Sequence, residues 1–241
     1  MASRNWFGAW DEIEKQDNFK NPACPRLLSV SKLLDRYTTG ERYFAQVNLS
    51  QAKLAHADLS KINLLEADLS RADLNYANLT SANLCLAVLL RTKLVHANLE
   101  GANLTGAMLD DALLTGATLI AACLEHSSLR SACLKQASLQ DANLSGAVLK
   151  TANLQEAMLQ GADLSGVDLS RADLSGANLR GALLWKANLT RANLQGADLT
   201  GANFSEANFS KANLSNAILT DTVLPNPVLT NPVLRQINST E

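Results

Sequence analysis

The chain has 241 residues, with 21 basic and 23 acidic side chains, a formal net charge of −2 and 5% aromatic content. This balance excludes the strongly basic surface of a general nucleic-acid binder and the uniformly acidic surface of a nucleic-acid mimic. No apolar run reaches 18 residues and no charged-then-apolar leader opens the chain. The expectation is a cytoplasmic protein with no membrane insertion.

Residues 1–25 read as an N-terminal arm. Trp6, Phe7, Trp10 and Ile13 follow an i, i+1, i+4, i+7 pattern, the spacing of a short helix that buries one aromatic side against its own chain, a partner or a membrane surface. Asp11, Glu12, Glu14 and Asp17 on the same segment disfavour anionic lipid. Residues 26–43 read as a helical cap: Leu27, Leu28, Val30, Leu33, Leu34 and Tyr37 recur at roughly helical spacing, and Gly40 can end the helix.

Residues 44–236 hold the repeat, and 237–241 are a short tail. From Leu49 to Leu234 every fifth residue is leucine except Phe204 and Phe209, which makes 38 units in unbroken phase. Two residues before the centre sits Ala in 30 of them, and between the two comes Asn or Asp in 21. A period of five suits neither an amphipathic helix nor a long flat strand. Within a unit, however, Ala and Leu lie two apart, so both point to one side of an extended chain. The chain must then turn before the next pair. Ten of the 12 glycines fall two residues after the centre, among them Gly101, Gly116 and Gly146. That slot is the second central residue of a turn, where positive φ suits glycine. Short extended steps between regular corners make a coil that must stack on further coils to bury its interior.

The stretches Ala67-Asp68-Leu69-Ser70-Arg71 and Ala102-Asn103-Leu104-Thr105-Gly106 resemble the A(D/N)LXX motif of pentapeptide-repeat proteins. The segment from Leu33 to Phe44 is similar to the leader of many cyanobacterial members. The resemblance implies an all-β fold, a right-handed quadrilateral parallel β-helix with four units per coil, about nine and a half coils and roughly 45 Å of length. It also leaves open a homodimer formed through the C-terminal end, so monomer and homodimer are both admitted. Pro225, Pro227 and Pro232 near that end would discourage addition of another sheet. One departure stands out: Met108, Leu113, Thr118, Cys123, Ser128, Cys133 and Ser138 replace Asp or Asn in seven successive units.

With 20 residues per coil, positions 20 apart stack into columns. Cys123 and Cys133 then lie on opposite faces, and Cys85 and Cys123 are two coils apart, beyond disulfide reach. With Cys24, all four cysteines are expected as free thiols in a reducing compartment. His56, Tyr76 and His96 share a corner column whose one carboxylate, Glu156, stands three coils beyond His96, so no metal site is assigned. Arg71 and Arg91 share another column with Arg171, Arg191 and Lys211, and the last three are candidate anion-binding residues. Val88, Leu90 and Met108 take outward slots in adjacent coils, with Leu65, Cys85 and Leu86 on the neighbouring face. This apolar patch is covered either by the arm or by an outside partner. Val88, Leu90, Met108, Trp6 and Trp10 are the candidate partner-contact residues.

No nucleophile elbow, phosphate-binding glycine loop or metal-ligand spacing occurs, so neither catalysis nor a cofactor nor a small-molecule substrate is expected. The favoured function is a non-enzymatic protein–protein interaction or regulatory scaffold, with an unknown protein partner. The alternative is a DNA-mimicking binder of DNA gyrase or another DNA-binding protein, which the scattered acids and the basic column disfavour. Direct nucleic-acid binding is not expected either.

Overall fold

The structure is a computed structural model in which residues 26–225 are described. A short strand β1 (Arg26–Leu27) leads into helix α1 (Val30–Thr38), and β2 (Val47–Asn48) opens the solenoid. From there a continuous ladder of parallel bridges joins each unit to the one 20 residues later, from Tyr43↔Asn63 through Asn203↔Val223. Residues 20 apart are therefore direct neighbours, and four units close each coil. We name the faces by their core columns: face I carries Leu64 and Leu84, face II Leu69 and Leu89, face III Leu74 and Leu94, face IV Leu79 and Leu99. Nine bridge steps at roughly 4.8 Å give a rod of about 43 Å.

The backbone hydrogen bonds of one unit explain why five residues suffice. On face II the Leu69 N–H donates to the Val88 carbonyl at 2.7 Å, Arg71 N–H to Leu90 at 2.9 Å, and Asp68 N–H backwards to Val47 at 2.9 Å. The Ala72 N–H closes the corner on the Leu69 carbonyl at 2.9 Å. The fifth amide, Ser70 N–H, donates to Asp68 Oδ1 at 2.9 Å. The same bond recurs from Ser145 to Asn143 and from Thr200 to Asp198. Asn and Asp are thus repeated because a short side chain two residues back can satisfy the one amide that neither ladder nor turn reaches.

The core is made of leucine columns, essentially without exposure from Leu59 to Leu199, with alanines filling the space beside them. Thr92 and Ser127 replace alanine and are equally buried. Their hydroxyls donate to the Leu69 carbonyl at 2.8 Å and the Leu124 carbonyl at 2.6 Å, so neither hydroxyl is stranded. Phe204 and Phe209, on adjoining faces, pack at 5.0 Å between ring centroids.

Every corner from Gln46 to Asp221 has positive φ two residues after the centre, glycine or not. Twenty-six non-glycine residues adopt this geometry, with φ between 53° and 62°. Each gives up about 1–2 kcal/mol relative to an ordinary conformation. In this conformation the corner amide makes its rung to the next coil, as the Arg71 N–H does to the Leu90 carbonyl at 2.9 Å.

At the N-terminal end, α1 begins at Ser29, whose hydroxyl accepts from the Lys32 N–H, and buries Leu33 and Tyr37 against the leucine core. The Tyr37 hydroxyl donates to the Ser60 carbonyl at 2.8 Å. Leu27 departs from the helical reading. It lies in β1, paired in parallel with Asn48, and is exposed, because this strand adds a partial rung ahead of the first coil. Toward the other end burial declines, and Leu219 and Leu224 are only partly buried. Trp6, Trp10, Cys24, Pro227 and Pro232 lie outside the described residues.

Candidate interaction surface

With the core uniform, chemical distinction lies in three outward slots per unit: the residue before each leucine and the two at each corner. Between Val88 and Ser138 most residues before the leucine lack the Asn or Asp side chain. The Leu90 and Asp110 amides, next in line after Val88 and Met108, have no protein acceptor among the described residues. Losing that bond leaves room for apolar side chains at the surface.

Val88 and Met108 are direct bridge partners on face II. Met108 is 43% exposed, and Leu86 at the preceding corner is 52% exposed. Val88, Leu90, Leu65 and Cys85 are half-buried. Leu86 leans onto the next coil, where its Cδ2 occupies the space a side chain at Gly106 would need. Leu90 sits at the corner after face II in a shallow open groove of about 390 Å³, with Ser70, Arg71, Arg91, Asp110 and Asp111 around it. Arg91 and Asp111 form an ion pair across one coil step at 3.3 Å. Leu113, also 43% exposed, stands on face III in the same band. It belongs with these apolar outward residues, although column reading of face II alone does not find it.

The corner after face II continues beyond this groove. Arg171, Arg191 and Lys211 occupy one column at φ of 61° and are exposed. Arg130 and Lys150, one slot earlier in their own coils, stand on the same edge and are exposed as well. Reading only the column 20 residues apart misses them because a corner consists of two slots.

Elsewhere the His56 and Tyr76 rings stack at 5.0 Å and Tyr76 and His96 at 5.3 Å, and the His96 ring then lies over Gly116. Among the described residues no three His, Cys, Asp or Glu side chains gather in a way that could hold a metal ion. Cys85, Cys123 and Cys133 are free thiols. Burial pushes the Cys85 thiol above its ordinary pKa, and Cys123 and Glu66 nearby push it the same way. Two carboxylates are shifted downward. Burial would raise Asp173, but donors from Ser175, Gln155 and Asn193 outweigh it. Asp198 is lowered by the Thr200 hydroxyl, against some burial, and further by the Thr200 amide and Arg180. These are surface fastenings of the repeat.

The model of pentapeptide repeats matches residues 48–84, 92–130, 132–171, 168–205 and 187–226. The chain belongs to the pentapeptide-repeat family. Among solved structures it is similar to HetL, a pentapeptide repeat protein involved in heterocyst differentiation regulation from the cyanobacterium Nostoc sp. strain PCC 7120. The two share 31% identity, covering 83% of this chain and 98% of HetL, at a TM-score of 0.40. It is also similar to QnrB1, a plasmid-mediated fluoroquinolone resistance protein. Here identity is 15%, coverage 82% and 97%, and the TM-score 0.55. Rfr23, from the cyanobacterium Cyanothece 51142, shares 34% identity over 46% of this chain and 63% of its own, at a TM-score of 0.31. No curated protein matches. Pentapeptide-repeat neighbours are right-handed β-helices, and this rod is one too.

Proposed function

We propose that this pentapeptide-repeat protein is a non-enzymatic interaction module, a rigid rod that presents side chains at fixed spacing to a protein partner. The apolar band around face II carries this reading: Leu86, Val88, Leu90 and Met108 stand together at outward slots where most units place polar groups. Contiguous apolar surface of this kind marks contact sites. The stacked ladder pre-organises it, so little ordering entropy is lost on docking. Within the same band Arg91 and Asp111 offer a charged rim beside Leu90.

The test is affinity capture from an extract of the source organism, using the full chain and its Leu90→Asp/Met108→Asp variant. Both columns already accommodate Asp, at Asp110 and at Asp68 and Asp168, so the variant retains its fold. Loss of a partner held by the unmodified chain supports the reading. Identical capture by both contradicts it.

A further inference from the structure

Five successive coils each place one cation on the edge after face II: Arg130, Lys150, Arg171, Arg191 and Lys211. The remaining residues of that edge across these coils are Ser131, Thr151, Ser170, Thr190 and Ser210, so no acid interrupts the line. No side chain of the five makes an ion pair or hydrogen bond with a described residue, although the Arg130 amide donates to Asp110 Oδ1 at 2.9 Å. The acids closest in the repeat are already engaged: on the same edge, one rung before Arg130, Asp110 accepts from the Ser128 hydroxyl and the Arg130 amide, and Asp111 pairs with Arg91. Asp168 accepts from the Ser170 amide and Asn188 Nδ2, and Asp173 accepts from Gln155 and Asn193. Two of the three bases on other edges of the same coils find partners, Arg180 with Asp198 at 3.3 Å and Lys186 with Glu206 at 3.6 Å.

Like charges on adjacent rungs repel, and the fold does not require them here, since corner slots elsewhere hold Gln46, Gln51, Gln136, Gln140 and Gln155. We infer that this edge is a docking ridge for an acidic α-helix of a protein partner, lying parallel to the rod. The registers match. Side chains on adjacent corners stand about 5 Å apart, as the stacked His56, Tyr76 and His96 rings show. A helix brings one side-chain position back to the same side every turn, about 5.4 Å. Over five coils the two repeats drift by only about 2 Å, within the reach of arginine and lysine side chains. Duplex DNA fits less well, because each phosphate strand winds away from a straight edge. The chain's net charge of −2 also gives no long-range attraction to a polyanion. The inference deepens the interaction reading and rests on it, but it is independent of the apolar band.

The experiment titrates the full chain into a fluorescent alanine- and glutamine-based helical peptide with one Glu per turn on a single stripe, followed by anisotropy at low and high salt. Two comparison probes are a peptide of the same composition with its acids dispersed around the helix and a 20-base-pair duplex. Three proteins are compared: the unmodified chain, the variant with all five cations replaced by Gln, and Leu90→Ser/Met108→Ser, which adds no charge and places Ser where Ser70 and Ser128 stand in the same columns. Thermal unfolding of the five-Gln variant verifies its fold. The expected result is saturable binding of the striped peptide that weakens at least tenfold in the five-Gln variant and at high salt. The Leu90→Ser/Met108→Ser variant binds as the unmodified chain does, which separates this ridge from the apolar band. Absence of binding at low salt, equal binding of the dispersed peptide, tighter binding of the duplex, or undiminished binding by the five-Gln variant overturns the inference.

Discussion

Truncating Leu139 to Ala tests whether stacked coils, more than individual units, hold this rod together. Leu139 is fully buried, with Leu119 and Leu159 directly before and after it in the face IV column. Removing three side-chain carbons loses about 2.4 kcal/mol of transfer free energy. The hole cannot close easily, because the backbones of Leu119 and Leu159 are pinned by rungs to Ser138 and Asn178 at 2.7 Å. With the cavity added, the loss is about 3–5 kcal/mol. Leu214 offers the contrast. It is 5% exposed and borders the partly buried Leu219, so the same truncation there relaxes and is expected to lose little more than the transfer part, about 2–2.5 kcal/mol. Urea unfolding followed by circular dichroism compares the two. Equal losses at both sites, or a loss below about 1 kcal/mol at Leu139, would refute a stability shared between neighbouring coils.

Other expectations follow from the corners and the surface. Ala121→Gly, at φ of 53°, relieves about 1–2 kcal/mol of left-handed strain against about 0.4–1 kcal/mol of added unfolded-state entropy. A small rise in the urea midpoint is predicted, and a fall counts against strained corners. Gly116→Ala drives a methyl to 2.5 Å from the His96 ring while keeping φ of 64°, and should lose about 1–2 kcal/mol. Adding His96→Ala should recover only the steric part, which a double-mutant cycle measures. Asp173 has a folded pKa below its unfolded value of about 3.9, so its stabilising contribution is full above that pH and is lost as pH falls through the folded value. Thermal unfolding between pH 4 and pH 2 should therefore be less steep for Asp173→Asn, and unchanged steepness counts against the hydrogen-bonded carboxylate. In a DNA gyrase supercoiling assay the protein should leave the reaction unchanged at micromolar concentration, since its acids form no continuous column. Potent inhibition would revive duplex mimicry.

The leucine at every fifth position already reveals a stacked coil with an apolar interior, because burial periodicity survives any detail of the turns. The positive φ of the corners is only half legible. Gly101 and Gly116 mark it, but His56, Arg71 and Glu66 adopt it as well, since ladder bonds outweigh local preference. The recurring Asn and Asp are visible in sequence, yet their function in capturing the amide two residues on requires the geometry of Asp68 and Ser70. Leu27 looked helical by spacing because periodicity cannot see that a neighbouring strand stands free to pair. On the surface, columns 20 residues apart bring out Val88 and Met108, but they hide Arg130 and Lys150, which reach the basic edge from the adjacent slot.

Contact between the face II band and a protein partner is captured by photo-crosslinking. A benzophenone side chain is placed at position 108 in one protein and at position 195, an exposed corner on the edge after face III, in another. Each is irradiated in an extract of the source organism. A discrete partner adduct is expected from position 108 and not from position 195. The same adduct from both positions, or one from position 195 alone, contradicts this contact.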